Sequence, residues 1–361
     1  MKQKICVIYG GRSGEHEVSV TSAESIIAAL GKTKYDVRAV AISKSGKWIP
    51  DVFPAEYRRK YLGSEGVFGT EFSSGIFHSD PVEPEIVMPV LHGPFGEDGT
   101  IQGLLEMLNV PYVGSGVLGS SLAMDKAAAK YMCLAYGIPV VEFLDFIRLQ
   151  WDSEQASVLD GVEDNIGYPC FVKPANLGSS IGISKATDRE CLIDSVCDAF
   201  QYDKKILIER AVNCRELECS VIGNDQPEAS LAGEVIPCNE FYDYNAKYID
   251  GKSQLIIPAQ IPTEIHAQVQ DIAVQAFKAL GCSGMARADF FLDKDSGEVF
   301  FNEINTIPGF TSISMYPKLW EASGLPYMEL LDKLIELALE RFVEKQQIHG
   351  NIFNPEGLEK K

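Results

Sequence analysis

Arg287-Ala288-Asp289-Phe290-Phe291 and Phe300-Phe301-Asn302-Glu303-Ile304-Asn305 are two apolar runs carrying polar groups at alternate positions, joined across Asp293 to Gly297. On a strand, residues two apart share a face. Arg287 and Asp289 therefore point together, and so do Glu303 and Asn305. The glycine-containing joint reads as a hairpin, and an odd loop centred near Ser296 sets Asp289 opposite Glu303. Like charges facing each other on neighbouring strands destabilise a sheet unless something neutralises them. A hard cation such as Mg²⁺ does so, and carboxylate and amide oxygens are its ligands when it also holds nucleotide phosphates. The plainer alternative is a solvated face on which Arg287 simply pairs with Asp289.

Around this hairpin, antiparallel signals run from Arg215 onward, and amphipathic helices are predicted over Pro262 to Leu280 and Tyr327 to Lys345. Upstream, Phe171 to Lys173, Gly182 to Lys185 and Lys205 to Glu209 read as strands. Ala123 to Tyr136 reads as one helix stopped by Gly137 and Pro139, near a first domain boundary. At the start, Ile5 to Tyr9, Val37 to Ile42 and Ile86 to Val90 are strands, with a helix from about Val18 to Leu30. That alternation predicts a parallel sheet with helices outside it. Ser43 to Asp80 is weakly patterned and reads as an irregular excursion.

With 361 residues, two or three domains are expected. A net charge of −19 argues against nucleic acid as a partner, although a nucleotide needs only a few lysines and a metal in one cleft. Nine cysteines without a Cys-x-x-Cys pair predict reduced thiols in a cytoplasmic protein. Five histidines without His-x-x-x-His spacing make zinc a poor candidate. No run reaches the ~18 apolar residues that span a bilayer, so no membrane partner is expected.

Several loops carry chemistry. Lys173 to Gly182 joins two strands through Asn-Leu-Gly-Ser-Ser. Its amides can form a phosphate nest, or it is an ordinary glycine hairpin; it lacks the Gly-Lys-Ser/Thr of a P-loop. Lys126 and Lys173 are candidate phosphate charges or plain surface lysines. Gly10-Gly11-Arg12-Ser13-Gly14-Glu15 lacks the dinucleotide fingerprint, but it puts Glu15 at the carboxyl end of a strand, where open α/β sheets bind ligands. Glu15 could equally serve the helix dipole. His92, opening a second Gly-rich loop that ends at Thr100, is a ligand contact or a loop histidine. The aromatic, polar stretch from Asn239 to Tyr248 is either an active-site lid or a packed surface loop.

Five segments in order (Gly10 to Ser19, His92 to Thr100, Gly178 to Gly182, Tyr242 to Tyr248, Asn302 to Ser314) resemble the D-alanine–D-alanine ligases of the ATP-grasp superfamily, over most of the chain. The resemblance implies a mixed α/β and α+β chain with the ATP-grasp fold. An N-terminal parallel α/β substrate domain would span 1–121, a central subdomain 122–214, and a C-terminal domain 215–361 with a lid loop at 237–258. The last two, built on antiparallel sheets, would grip ATP. Glu15 would hold the first D-alanine's ammonium, with His92 near its carboxylate. Lys126, Lys173 and Lys247 would touch phosphates; Glu209, Arg210, Ala211 and Val212 would line the adenine; Glu216 would take the ribose. Asp289, Glu303 and Asn305 would carry two Mg²⁺ ions, with Mn²⁺ as a substitute. Arg287 and the Gly309 amide would stabilise the oxyanion, Ser314 would bind the second substrate's carboxylate, and Ser179 and Tyr248 would latch the lid to Glu15. An acyl phosphate intermediate and a homodimer are also implied. Ligation to D-lactate or D-serine is the nearest rival, against which Lys247-Tyr248 is intact. A non-catalytic nucleotide-binding regulator would be expected to lack a metal ligand or Arg287. An ATP-grasp ligase for another acceptor is opposed by the His92 and Ser314 motifs. The adenine segment has smaller apolar residues than many relatives, which matters little if adenine is read by backbone groups.

Overall fold

Ile5 to Tyr9 is buried on both faces, as a near-continuous apolar run demands of a central parallel strand. The computed structural model describes residues 2–31, 34–60, 85–236 and 254–353. In its first sheet β1 (Gln3–Gly10) lies between β2 (Tyr35–Ile42) and β4 (Ile86–Val90), both parallel to it, and β3 (Trp48–Pro50) pairs antiparallel at the edge. Gly10 ends β1 at φ +93°, and a Cβ there would lie 2.2 Å from the Ile42 carbonyl oxygen, so only glycine fits the turn. Helix α1 (His16–Leu30) follows. The stretch expected to be irregular instead forms β3 and α2 (Pro54–Lys60), whose Tyr57 packs edge-on to Tyr9 and hydrogen-bonds His16 at 3.1 Å. Residues 61–80 of that excursion lie outside the described residues.

Helix α3 (Thr100–Met107) leads to the expected helix at 123–136, which is two: α4 (Val117–Met124) and α5 (Lys126–Ala135). Asp125 between them is extended, and its carboxylate accepts the Ala128 amide at 3.0 Å, an N-cap that restarts the helix in a new direction. A second sheet, antiparallel throughout, has the order β5-β8-β6-β7 from β5 (Phe143–Ile147), β6 (Cys170–Pro174), β7 (Ser184–Ala186) and β8 (Lys205–Arg210). Antiparallel pairing thus begins earlier than Arg215. Helices α6 (Arg148–Asn165) and α7 (Arg189–Ala199) close its core, in which Phe146 stacks on Trp151.

The third sheet is antiparallel with order β11-β10-β9-β12-β13, from β9 (Cys214–Gly223), β10 (Glu228–Ile236), β11 (Gln254–Ile256), β12 (Gly284–Asp293) and β13 (Val299–Asn305). Phe290 and Phe301 turn toward α8 (Thr263–Ala279), leaving the polar alternates on the opposite face. Helices α9 (Met315–Ala322) and α10 (Tyr327–Phe353) end the description. Leu330, Leu334 and Ile335 of α10 share one core with Ile5 and Val7 of the first sheet. Among the described residues no helix is long and apolar enough to cross a membrane.

Candidate active site

Asp289 pairs with Glu303 across β12 and β13, and Arg287 with Asn305, as the hairpin register required. On the other side Asp289 faces Glu218 of β9, so a third carboxylate joins the rung. Sequence reasoning missed Glu218 because a strand's second neighbour is not visible in the hairpin. Arg287 straps the cluster: its Nε and one terminal nitrogen each donate to an Asp289 oxygen at 2.7 Å, and Nε lies 2.9 Å from Glu218. The Asn305 amide donates to Asp289 at 3.1 Å, and Lys126 Nζ is 3.0 Å from Glu303. The Arg287–Asp289 pair is therefore real, and it sits on the polar wall of a cleft. Among the described residues no group of three or more His, Cys, Asp or Glu is arranged to hold a metal ion by itself. Two opposed carboxylates beside an amide nevertheless fit Mg²⁺, which keeps waters and substrate phosphates in its shell, and here two cationic side chains balance those carboxylates.

At the other end of the cleft stands Glu15, the residue before α1. It makes no side-chain cap bond and accepts instead from Ser179 Oγ at 2.5 Å, joining the first sheet to the β6–β7 loop. Ser179 and Ser180 hold φ of +53° and +57°, a left-handed backbone that costs non-glycine residues energy and clusters at functional sites. A Cβ on Gly178 would lie 2.8 Å from the Glu15 carboxylate and one on Gly93 2.9 Å from it, so bare backbone encloses this acid.

His92 is buried and lines the same cleft. Its Nδ1–H donates to the Ile307 carbonyl at 2.8 Å, and Nε2 meets Ser22 Oγ at 3.1 Å. Burial lowers its pKa, outweighing the nearby Glu15 charge, so the neutral ring holds the Ile307 carbonyl directly and, through Ser22, the Phe310 amide. Ser314 stands at the N-cap position of α9 without a side-chain cap bond; its Oγ accepts instead from the Thr311 amide at 3.0 Å, and a Cβ on Gly309 would come within 2.7 Å of that oxygen. Amides at a helix start favour a carboxylate.

Glu97 lies within the loop that His92 opens, and nothing in the local sequence singles it out. It is buried and accepts from the Gly93 and Ile307 amides at 2.8 and 2.9 Å. Burial, reinforced by Glu15, pushes its pKa up to about 8 from 4.5. The folded chain then holds a proton that the unfolded chain releases above about 4.5. Its stabilising contribution is complete below that value and disappears as pH rises through about 8. The melting temperature of the parent relative to Glu97→Gln should therefore fall steadily between pH 5 and 9; a pH-independent difference would show that Glu97 does not titrate there.

Beyond the acidic rung, a cavity of about 960 Å³ opens between the second and third sheets. Lys126, Lys173, Glu209 to Val212, Glu216, Asp289 and Glu303 all line it. Lys126 also donates to the Leu177 carbonyl at 2.6 Å, tying α5 to the serine loop. Burial lowers its pKa, but Glu303 more than offsets this, and the net shift is upward. Lys173 pairs with Glu209. The Arg210 guanidinium donates to Glu142 at 2.8 Å, and the amides of Arg210 and Ala211 donate to the Glu142 and Pro169 carbonyls. Lys247 and Tyr248, with the rest of the expected lid up to 253, lie outside the described residues.

Two antiparallel sheets enclosing a cavity floored by lysines and carboxylates, beside a parallel α/β unit that supplies one more acid, define an ATP-grasp protein. Models of the D-ala D-ala ligase N-terminus and C-terminus match residues 4–115 and 132–336. Over 356 residues the chain is 50% identical to the D-alanine–D-alanine ligase of Heliobacterium modesticaldum, covering 96% of this chain and 97% of that one. Over 364 residues it is 49% identical to that of Chloroherpeton thalassium, covering 96% and 98%. The solved D-alanine-D-alanine ligase from Coxiella burnetii superposes with TM-score 0.82 at 34% identity, covering 98% of this chain and 99% of that one. The VanG D-Ala:D-Ser ligase from Enterococcus faecalis does so with TM-score 0.81 at 35% identity, covering 94% and 100%. The chain belongs to the D-alanine–D-alanine ligase family.

Proposed function

We propose that this chain joins two D-alanines into D-alanyl-D-alanine at the expense of ATP, for peptidoglycan synthesis in the cytoplasm. The observation that carries the reading is that the Glu15–Ser179 pair, Arg287 with Glu218 and Glu303 of the acidic rung, and Ser314 line one cleft, which Lys126 and Glu303 share with the large cavity that Asp289 also lines. In this reading ATP fills that cavity, with adenine along Glu209 to Val212, ribose on Glu216 and phosphates on Lys126, Lys173 and Lys247. Asp289, Glu303 and Asn305 would hold two Mg²⁺ ions, which neutralise phosphate charge when bound. Glu15 grips the first D-alanine's ammonium, with His92 close by, and orients its carboxylate, whose oxygen attacks the γ-phosphorus as ADP leaves. The amine of the second D-alanine, seated by Ser314 at the start of α9, attacks the acyl carbon. Arg287 and the Gly309 amide meet the developing oxyanion, and phosphate departs. Ser179 and Tyr248 latch the lid over the acyl phosphate, excluding water. The three-domain division at 121 and 214 and a homodimer belong to the same reading.

Likeness to the D-Ala:D-Ser enzyme is as close in fold as likeness to the Coxiella enzyme, so the acceptor is argued from the curated relatives near 50% identity. Phosphate release should be followed with ATP, Mg²⁺ and D-alanine alone, and then with D-serine, D-lactate or L-alanine added. Release with D-alanine alone is expected. Release that requires D-serine or D-lactate, or that ignores amino acids altogether, would overturn the assignment.

A further inference from the structure

Lys130 has no part in that scheme, yet among the described residues it is one of the most deeply buried charges. It lies on α5 one turn beyond Lys126, and its side chain is 1% exposed. Its Nζ stands 2.7 Å from Glu209 Oε1, while Lys173 holds the other oxygen of the same carboxylate. Glu209 is itself 2% exposed. Burial would raise its pKa, but the two ammonium groups prevail and hold it down at about 2, so the carboxylate is ionised. Glu209 and Lys173 line the nucleotide cavity. Helix α5 thus ties both sheets ionically, Lys126 to Glu303 on β13 and Lys130 to Glu209 on β8.

The arrangement solves a charge problem. For Lys173 to meet a phosphate it must loosen its hold on Glu209. A buried carboxylate stripped of its partner is strongly destabilising, and a polyphosphate nearby adds repulsion. We propose that Lys130 is a positioning residue for nucleotide binding: it remains on Glu209 as the standing counter-ion, so that Lys173 can transfer to a phosphate without leaving a bare charge in the cavity wall. The inference rests on the nucleotide reading of the cavity given above.

The test measures ADP and ATP affinity by calorimetry with Mg²⁺, and steady-state kinetics, for Lys130→Met, Lys173→Met and the double variant Lys130→Met/Glu209→Gln. In Lys130→Met, Glu209 should retain Lys173, weakening nucleotide binding and raising the KM for ATP about tenfold or more, while kcat at saturating ATP changes far less. The double variant, which removes the orphaned carboxylate along with its counter-ion and so keeps the parent's net charge at the site, should recover most of that affinity. A merely structural lysine would lower the melting temperature or the active fraction without moving the nucleotide Kd. Parent-like affinity in Lys130→Met, or a double variant as weak as the single, overturns the inference. If Lys173→Met also binds nucleotide as the parent does, the reading of the cavity fails with it; if Lys173→Met is weak while Lys130→Met is normal, only the role of Lys130 fails.

Discussion

Glu303→Gln is expected to lower turnover about a thousandfold or more, the upper end of what removing one preorganised electrostatic group costs, in a chain that still folds. The substitution keeps size, shape and one acceptor oxygen while it removes the charge and turns the other oxygen into a donor. That charge does two jobs. It is one of the two opposed carboxylates of the rung, and without it the proposed cation site has half its acidic oxygens. It also offsets the burial of Lys126, whose ammonium lies 3.0 Å away. The folding penalty should be smaller than the catalytic one. Glu303 is 21% exposed, and Lys126 keeps the Leu177 carbonyl at 2.6 Å, so about 1–3 kcal/mol is expected, below the 3–5 of a fully enclosed pair. ADP release in a coupled assay, alongside thermal unfolding, separates the two effects. Turnover within tenfold of the parent would remove Glu303 from the metal site.

The rung was legible because a short hairpin leaves little freedom. Once Asp293 to Gly297 turns the chain, alternation alone decides which residues meet, and the irregularity in register falls between Asp289 and Phe290, just past the critical pair. Strands such as Ile86–Val90 were equally plain, since only a strand buried on both faces is so uniformly apolar. Most of what escaped depends on contacts distant in sequence. The pattern at 123–136 continues smoothly through Asp125, and the kink becomes visible only with the cap bond to Ala128. Glu218 enters the rung through β9, some seventy residues from β12, and nothing local announces that pairing. Lys130 looks like a surface lysine because helical spacing does not reveal that Glu209 waits behind it. Glu97 reads as a polar loop residue until two amides and a closed wall surround it. Glu218, Lys130 and Glu97 each have a partner far along the chain, on β12, on β8 and at Ile307, whereas the Asp125 cap is local and is hidden only by the unbroken pattern around it.

Arg287→Met should cost turnover about 10²–10³-fold, or ~2.7–4 kcal/mol of barrier, and it should also lower stability, which Glu303→Gln does less. Three carboxylates, from Glu218, Asp289 and Glu303, stand across neighbouring strands, and Arg287 donates two hydrogen bonds to Asp289 and contacts Glu218. Without it like charges face each other at strand spacing, which is destabilising. Millimolar Mg²⁺ should therefore raise the melting temperature of this variant more than that of the parent, while turnover stays low. Arg287→Lys separates charge from geometry. An ammonium restores the positive charge, and with it most of the stability, but it is a point donor that cannot span Asp289 and also reach an oxyanion, as a planar fork can. The lysine variant should melt near the parent and turn over at least about tenfold more slowly. If it works as well as arginine, charge alone suffices at this position, and the oxyanion role assigned to the guanidinium fork has to pass to another donor, the Gly309 amide being the nearest in the proposed scheme.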